Sequence, residues 1–403
     1  MRRAALACLA VALASQPRAT APAPSPLEGA VHWLLRRQQP DGSWRSERYA
    51  VLRSGQAMTP FTLRSLLDAR ELGGIEIPND LVERALGWIR RSVASDGSVG
   101  YADGDLLEYP LYSTALALEA LCRAGGREDR ERIERMARWL CSQQCTATNG
   151  FPKPHPAHGA FPFGSKGLRR GDSGFVDLSH TRRALQALGA AQAWFARDAR
   201  GGSAPSPARP DLTAALHHLA VLQKLPEHAG TPTGHETTIP NAQTPYDGGF
   251  YNSTVVPGAN KGGLLDSPEG ETQYFASYAT ATADGVLALV AAGVPREDRR
   301  VRDAASWLES HPRLDRPAGI PEAGPDHLGD SLRIYHLAAR AEALNAVGAS
   351  GPWRDAIAEQ LAAWQQIDGS FRGVEPALMK EDDPLLATAL AASALARTRS
   401  NRR

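Results

Sequence analysis

Cysteine is scarce in this chain of 403 residues, with four in all. Cys8 lies in an apolar N-terminal run, so a processed chain would keep Cys122, Cys141 and Cys145. An odd count argues against a disulfide framework, even in an oxidising compartment. Cys141 and Cys145 share a helix face, but no nearby His or Asp completes a zinc set with Cys122, and buried apolar thiols are the favoured reading. Aromatic residues make up only 6%, a thin lining for an enzyme that guides carbocations. Charge of one sign is lacking too. The net charge is +1 with the two signs interspersed, which argues against the basic face of a nucleic-acid binder. No stretch, the N-terminal apolar run included, reaches the length of a membrane span. No metal or cofactor is called for by any motif.

The N-terminus stands apart. Arg2 and Arg3 precede the apolar run 4–14, and Ala12-Leu13-Ala14 offers the small residues a signal peptidase reads. Residues 1–14 read as a secretory signal peptide cut before Ser15. Residues 15–26, rich in Pro and Ala, read as a disordered leader. Export to a periplasm or the exterior is therefore expected, as a soluble protein without a stable membrane span.

What the sequence has in quantity is repetition. QQPDGSW (38–44) returns as QQIDGSF (365–371). Each copy follows an amphipathic helix, with Gly42 and Gly369 placed for a left-handed helix end. Further copies turn at Asp96-Gly97, at Asn149-Gly150 and in YDGGF (246–250), and VRDAASWLESH (301–311) opens one without a clean turn. Spacings of 55 and 53 residues between the first turns mean a repeated supersecondary unit. Each turn is followed by a second helix, apolar on most faces: 59–72, 109–125, 178–194, 277–293, 331–348 and 383–398. Helices of that kind are buried, and their charged partners are exposed. Six such pairs predict an all-α chain, an α6/α6 toroid over residues 27–403. Long loops at 146–176 and 226–275 interrupt it.

At this point a resemblance becomes specific. W-L-x3-Q-x2-D-G-x-W, Trp33 to Trp44, resembles the QW motif of squalene–hopene and oxidosqualene cyclases. Residues 276–308 resemble the prenyltransferase/squalene-oxidase repeat of the same terpenoid cyclase and protein prenyltransferase superfamily. The resemblance implies that Gln38, Trp44, Gln365 and Phe371 stabilise helix ends. The Gln would tie up backbone groups and satisfy orphan C-terminal carbonyls. It also implies a central cavity, with chemistry at the mouth where inner helices begin. Class II cyclases start one inner helix with D-x-D-D, whose middle acid protonates an alkene. Asp382 and Asp383 match the last two acids, while Lys380 replaces the first, and a lysine there favours ionised carboxylates. Asp383 before Pro384 also reads as a plain helix N-cap. Other inner-helix starts offer Tyr109, Tyr112, Asp177, His180, Tyr274, Tyr278, Tyr335 and His336 as a ligand-binding wall, or as ordinary helix-end packing. The cysteine of prenyltransferase zinc sites is missing from 246–252 and 270–278. GDSG (171–174) and the pair His155 and His158 lack a supporting fold. Function stays open between acid-initiated chemistry on an isoprenoid or other apolar substrate, as isomerase or lyase, and a non-catalytic toroid binding a lipid, glycan or protein. A polysaccharide-acting α/α barrel, such as a lyase, is a third reading. It needs a groove of Arg, Lys and Asp that the sequence does not locate.

Overall fold

The computed structural model describes residues 24–198, 208–228, 245–266, 273–323, 327–375 and 378–399. The expected signal peptide and all but the end of the expected leader lie outside them. Among the described residues there are twelve helices. Six form an outer ring: α1 (Pro26–Arg36), α3 (Asn79–Ser92), α5 (Arg130–Gln143), α7 (Leu212–Leu222), α9 (Arg299–Ser310) and α11 (Trp353–Trp364). Six form an inner ring: α2 (Met58–Glu71), α4 (Pro110–Ala124), α6 (Leu178–Asp198), α8 (Ala279–Ala291), α10 (Arg333–Val347) and α12 (Pro384–Arg399). Each inner helix packs on the next, and α12 returns to α2, so the ring closes.

The sequence explains which helix goes where. On α12, 13 of 16 residues are buried, and its many alanines let neighbouring backbones approach closely. On α1, only Leu27, Ala30, Val31, Trp33 and Leu34 are buried, a single stripe. α1 begins on a capping box, with Ser25 and Glu28 bonded reciprocally and Pro26 at its first position.

One joint recurs five times. A turn residue donates its backbone N–H to a threonine hydroxyl on the following inner helix: Trp44 to Thr59, Val99 to Thr114, Phe161 to Thr181, Phe250 to Thr282 and Phe371 to Thr388. Beside four of them a Gln side chain bridges two carbonyls. Gln38 reaches Gly42 O and Leu81 O, the latter in the first turn of the next outer helix. Gln365 closes the ring the same way, donating to Gly369 O at 2.9 Å and to Pro26 O at 2.8 Å. Gly369 has φ +90, and a Cβ there would stand 2.5 Å from Gly29 O. The Gln therefore ties each turn to the start of the next outer helix, not to the end of its own. Near the end of α1, Leu34 O accepts the indole N–H of Trp44 at 2.8 Å beside the backbone N–H of Arg37.

The third turn is not where the spacing puts it. Gln144 bridges Gly159 O and Asp211 O, and a Cβ on Gly159, at φ +88, would meet Ala214 O at 1.9 Å. The turn is His158-Gly159-Ala160-Phe161. Asn149-Gly150 makes only a local turn inside an insertion, which folds on its own small cluster of Cys145, Phe151, Ala157, Ala160 and Val176. The loop 226–275 carries a short hairpin, β1 (Leu264–Asp266) with β2 (Gln273–Phe275).

Candidate functional site

The inner helices begin at one end of the ring, and their first turns define a mouth. His180, in the first turn of α6, is packed there among aromatic rings. Its Nδ1 meets Asp177 Oδ1 at 2.6 Å, and Asp177 also accepts the His180 backbone N–H and the Ser179 hydroxyl. Burial alone would raise the Asp177 carboxyl, but His180 beside it and these donors hold it well below the usual range. His180 is 3% exposed, and its Nε2 has no partner among the described residues. Aromatic rings surround it edge-on: Tyr112 at 5.1 Å, Phe163 at 5.7 Å and Phe175 at 6.1 Å. Tyr109 continues the arc at 5.4 Å from Phe163. Lys380 Nζ stands 5.7 Å from the Tyr109 ring and 5.8 Å from that of Tyr49. Tyr109 and Lys380 both hold left-handed backbones, φ 48 and 64, the kind of strain that needs a tightly fixed neighbourhood.

On the far side of the mouth Tyr335 donates to both oxygens of Asp284, at 3.0 and 2.9 Å. Burial pushes the Asp284 carboxyl up, against the pull of Arg182 and Tyr335. Lys261, from the long loop, is pushed down by burial, while Asp177 and Asp284 oppose the shift. The structure thus gathers Tyr109, Tyr112, Asp177, His180 and Tyr335 at one mouth. Tyr278 lies fully buried, its hydroxyl donating to Ala259 O at 3.2 Å. Tyr274 lines a separate groove of about 500 Å³ with Asp247, Trp307 and His311. His336 is buried under Arg313 O.

The carboxylates after Lys380 are all engaged as acceptors. Asp383 caps α12, accepting the Leu385 N–H at 2.8 Å through Oδ1 and the Ser46 hydroxyl through Oδ2. Asp382 accepts the Tyr49 hydroxyl on one oxygen and pairs with Arg48 at 2.5 Å on the other. Neither has an oxygen left to present an O–H to a substrate. Glu381, which the D-x-D-D resemblance passes over, is buried and caps α10 through the N–H groups of Ile334 and Tyr335. Burial outweighs those donors and raises its carboxyl to about 8.

Behind the mouth the middle of the axis is filled, and a hollow of about 370 Å³ lies beyond it, among Leu72, Leu185, Leu287, Val290 and Ala346. Arg182 pairs with Asp284 at 2.5 Å and with Glu342. Arg64 pairs with Glu342 at 2.7 Å and Glu119 at 3.1 Å. Arg397 and Arg123 close on Asp68 at 2.7 and 3.0 Å. The space left among Arg64, Arg182, Tyr335 and Glu342 is about 10 Å³, room for one water. The central cavity expected from the resemblance is interrupted by this plug of ion pairs. The signal was legible: charged residues stand in the middle of otherwise apolar inner helices. Phe163 and Lys261 carried no such signal, because both lie in irregular segments.

The closed double ring defines an α/α toroid. Residues 3–152 match the family model of the prenyltransferase alpha-alpha toroid domain. The chain is similar to a variant of the type II terpene cyclase MstE from Scytonema, solved with its substrate geranylgeranyl dihydroxybenzoate. Identity is 13%, with a TM-score of 0.52 over 93% of this chain and 96% of that one. It is as similar in fold to the GH76A alpha-1,6-mannanase from Salegentibacter sp. HEL1_6, at 12% identity and a TM-score of 0.51 over 93% and 98%. No curated protein matches the sequence. The chain shares the α/α toroid fold with these proteins, and no helix among its described residues is long and apolar enough to cross a membrane.

Proposed function

We propose that this toroid binds a polar, ring-bearing ligand of the glycan type across its N-terminal mouth, and that it does not thread an apolar chain along its axis. The observation that carries this reading is the filled axis. An isoprenoid needs an apolar cavity of several hundred cubic ångströms; the plug of arginines and carboxylates leaves about 10 Å³ behind the mouth, and the hollow of about 370 Å³ beyond it is walled in part by Arg64, Glu119, Arg123, Glu342 and Arg397. The mouth offers what a sugar ring uses: aromatic rings for its C–H face, and a few fixed polar groups for its hydroxyls. Tyr109, Tyr112, Phe163 and Phe175 supply the first, and His180 Nε2, oriented by Asp177, supplies the second. Asp382 and Asp383 serve the fold in this reading, as partner of Arg48 and cap of α12. Export is part of the proposal and rests on residues 2–14. Cell fractionation with N-terminal sequencing checks it, Ser15 being the expected first residue.

The test is a carbohydrate array probed with the mature protein, Tyr109→Ala and His180→Asn. Retention of one glycan class, weakened tenfold or more by either substitution at unchanged unfolding midpoints, is expected. Failure to retain any glycan, with a prenyl lipid co-purifying instead, overturns the proposal and restores the isoprenoid reading.

A further inference from the structure

The plug on the axis leaves one cation without a hydrogen-bonded counter-ion. Arg183, on α6, is 4% exposed. The carboxylate oxygen paired with it, on Glu342, is 3.8 Å away, too far for a hydrogen bond. Its Nη1 donates to Gln186 at 3.1 Å, and its Nε has no acceptor among the described residues. Glu342 is already shared by Arg64, Arg182 and Gln186. The small void on the axis is walled by Arg64, Arg182 and Arg183 against the single carboxylate of Glu342. The wider plug repeats the imbalance. Arg64, Arg123, Arg182, Arg183 and Arg397 meet Asp68, Glu119, Asp284 and Glu342, five charges against four. A fifth acid, Glu71, reaches only Arg123, from the rim, where it is 41% exposed. Burial and the neighbouring Arg182 and Arg64 all disfavour the charged form of Arg183. A guanidinium does not release its proton in a protein, so the charge must be met from outside.

We propose that the void holds one small monovalent anion of the halide class, taken from solvent, as the counter-ion of Arg183. Its size sets the class. A space on the order of 10 Å³ admits one particle near the size of a water molecule, which excludes phosphate, sulfate and carboxylate ligands. The site is independent of whatever binds at the mouth. It fixes α6 to α2 through the three arginines around it.

The experiment uses the full-length mature protein in gluconate buffer, titrated with chloride at constant ionic strength. A saturable rise of the unfolding midpoint, roughly 2–4 °C, is expected. Arg183→Met should lose the chloride response. In gluconate it should unfold at or above the wild-type midpoint, because it removes an uncompensated buried charge. A bromide-soaked crystal of the wild-type protein should show an anomalous peak between Arg183 and Arg182, and this readout does not depend on the variant folding. Equal midpoints in chloride and gluconate, a chloride response that survives in Arg183→Met, or a bromide soak that leaves only water in the void would each overturn the proposal.

Discussion

At the scale of single residues, buried titratable groups set a pH window for stability. Burial lowers His336 to about 4 and His218 to about 3. In the unfolded chain histidine takes its proton near pH 6.5. Below that pH the unfolded chain binds more protons, so stability falls as pH drops from about 6.5 through about 4, by roughly 1.4 kcal/mol per pH unit for each histidine. Glu381 works in the opposite direction. Its carboxyl is raised from 4.5 to about 8. Its contribution is present below the unfolded value and is lost as pH rises through about 8. Urea unfolding at pH 5, 6.5 and 8.5 should therefore find a maximum in the middle, and Glu381→Gln should flatten the alkaline side. Asp383→Ala should cost about 0.5–2 kcal/mol through the lost helix cap, read from the same urea curves. The pair Asp177 and His180 was legible as polar residues opening an inner helix. The engagement of Asp382 was not, because Arg48 and Tyr49 lie more than 330 positions away.

At the scale of elements, the repeat was legible because helix period and turn chemistry agree. Glycine with Asp or Asn ends an amphipathic run, and a buried run follows. The third turn was misplaced because an insertion brought its own Asn-Gly to nearly the expected spacing, while the true joint, around Gly159, carries no Asp-Gly pair. The partner of the glutamines was not legible either, since the next outer helix lies about forty residues on in sequence for Gln38. Two substitutions test the joints. Gln365→Ala removes a donor from both Pro26 O and Gly369 O and opens the seam between the last turn and α1. It should cost about 1–3 kcal/mol, whereas Gln143→Ala, at an exposed site whose amide meets only Ser142, should be near neutral. Trp44→Phe removes the donor to Leu34 O and, because a phenyl ring is smaller than the fully buried indole, leaves a small cavity, a loss of about 2–4 kcal/mol by chemical denaturation.

At the scale of the whole molecule, the toroid is a frame whose axis and mouth carry separate roles. Six alanine-rich helices could enclose a cavity, but each contributes charged groups that meet in the middle. Arg64 and Asp68 stand on α2, Glu119 and Arg123 on α4, Arg182 and Arg183 on α6, Asp284 on α8, Glu342 on α10 and Arg397 on α12. The family resemblance supplied the ring and also suggested the cavity, and the charges inside the apolar helices were the feature that argued otherwise. Native mass spectrometry tests this division most directly, with the mature protein offered a geranylgeranyl lipid and a soluble oligomannoside together. The account predicts a one-to-one adduct with the oligosaccharide that disappears in Tyr109→Ala. A stoichiometric prenyl adduct that survives in Tyr109→Ala, with no oligosaccharide adduct, would contradict it.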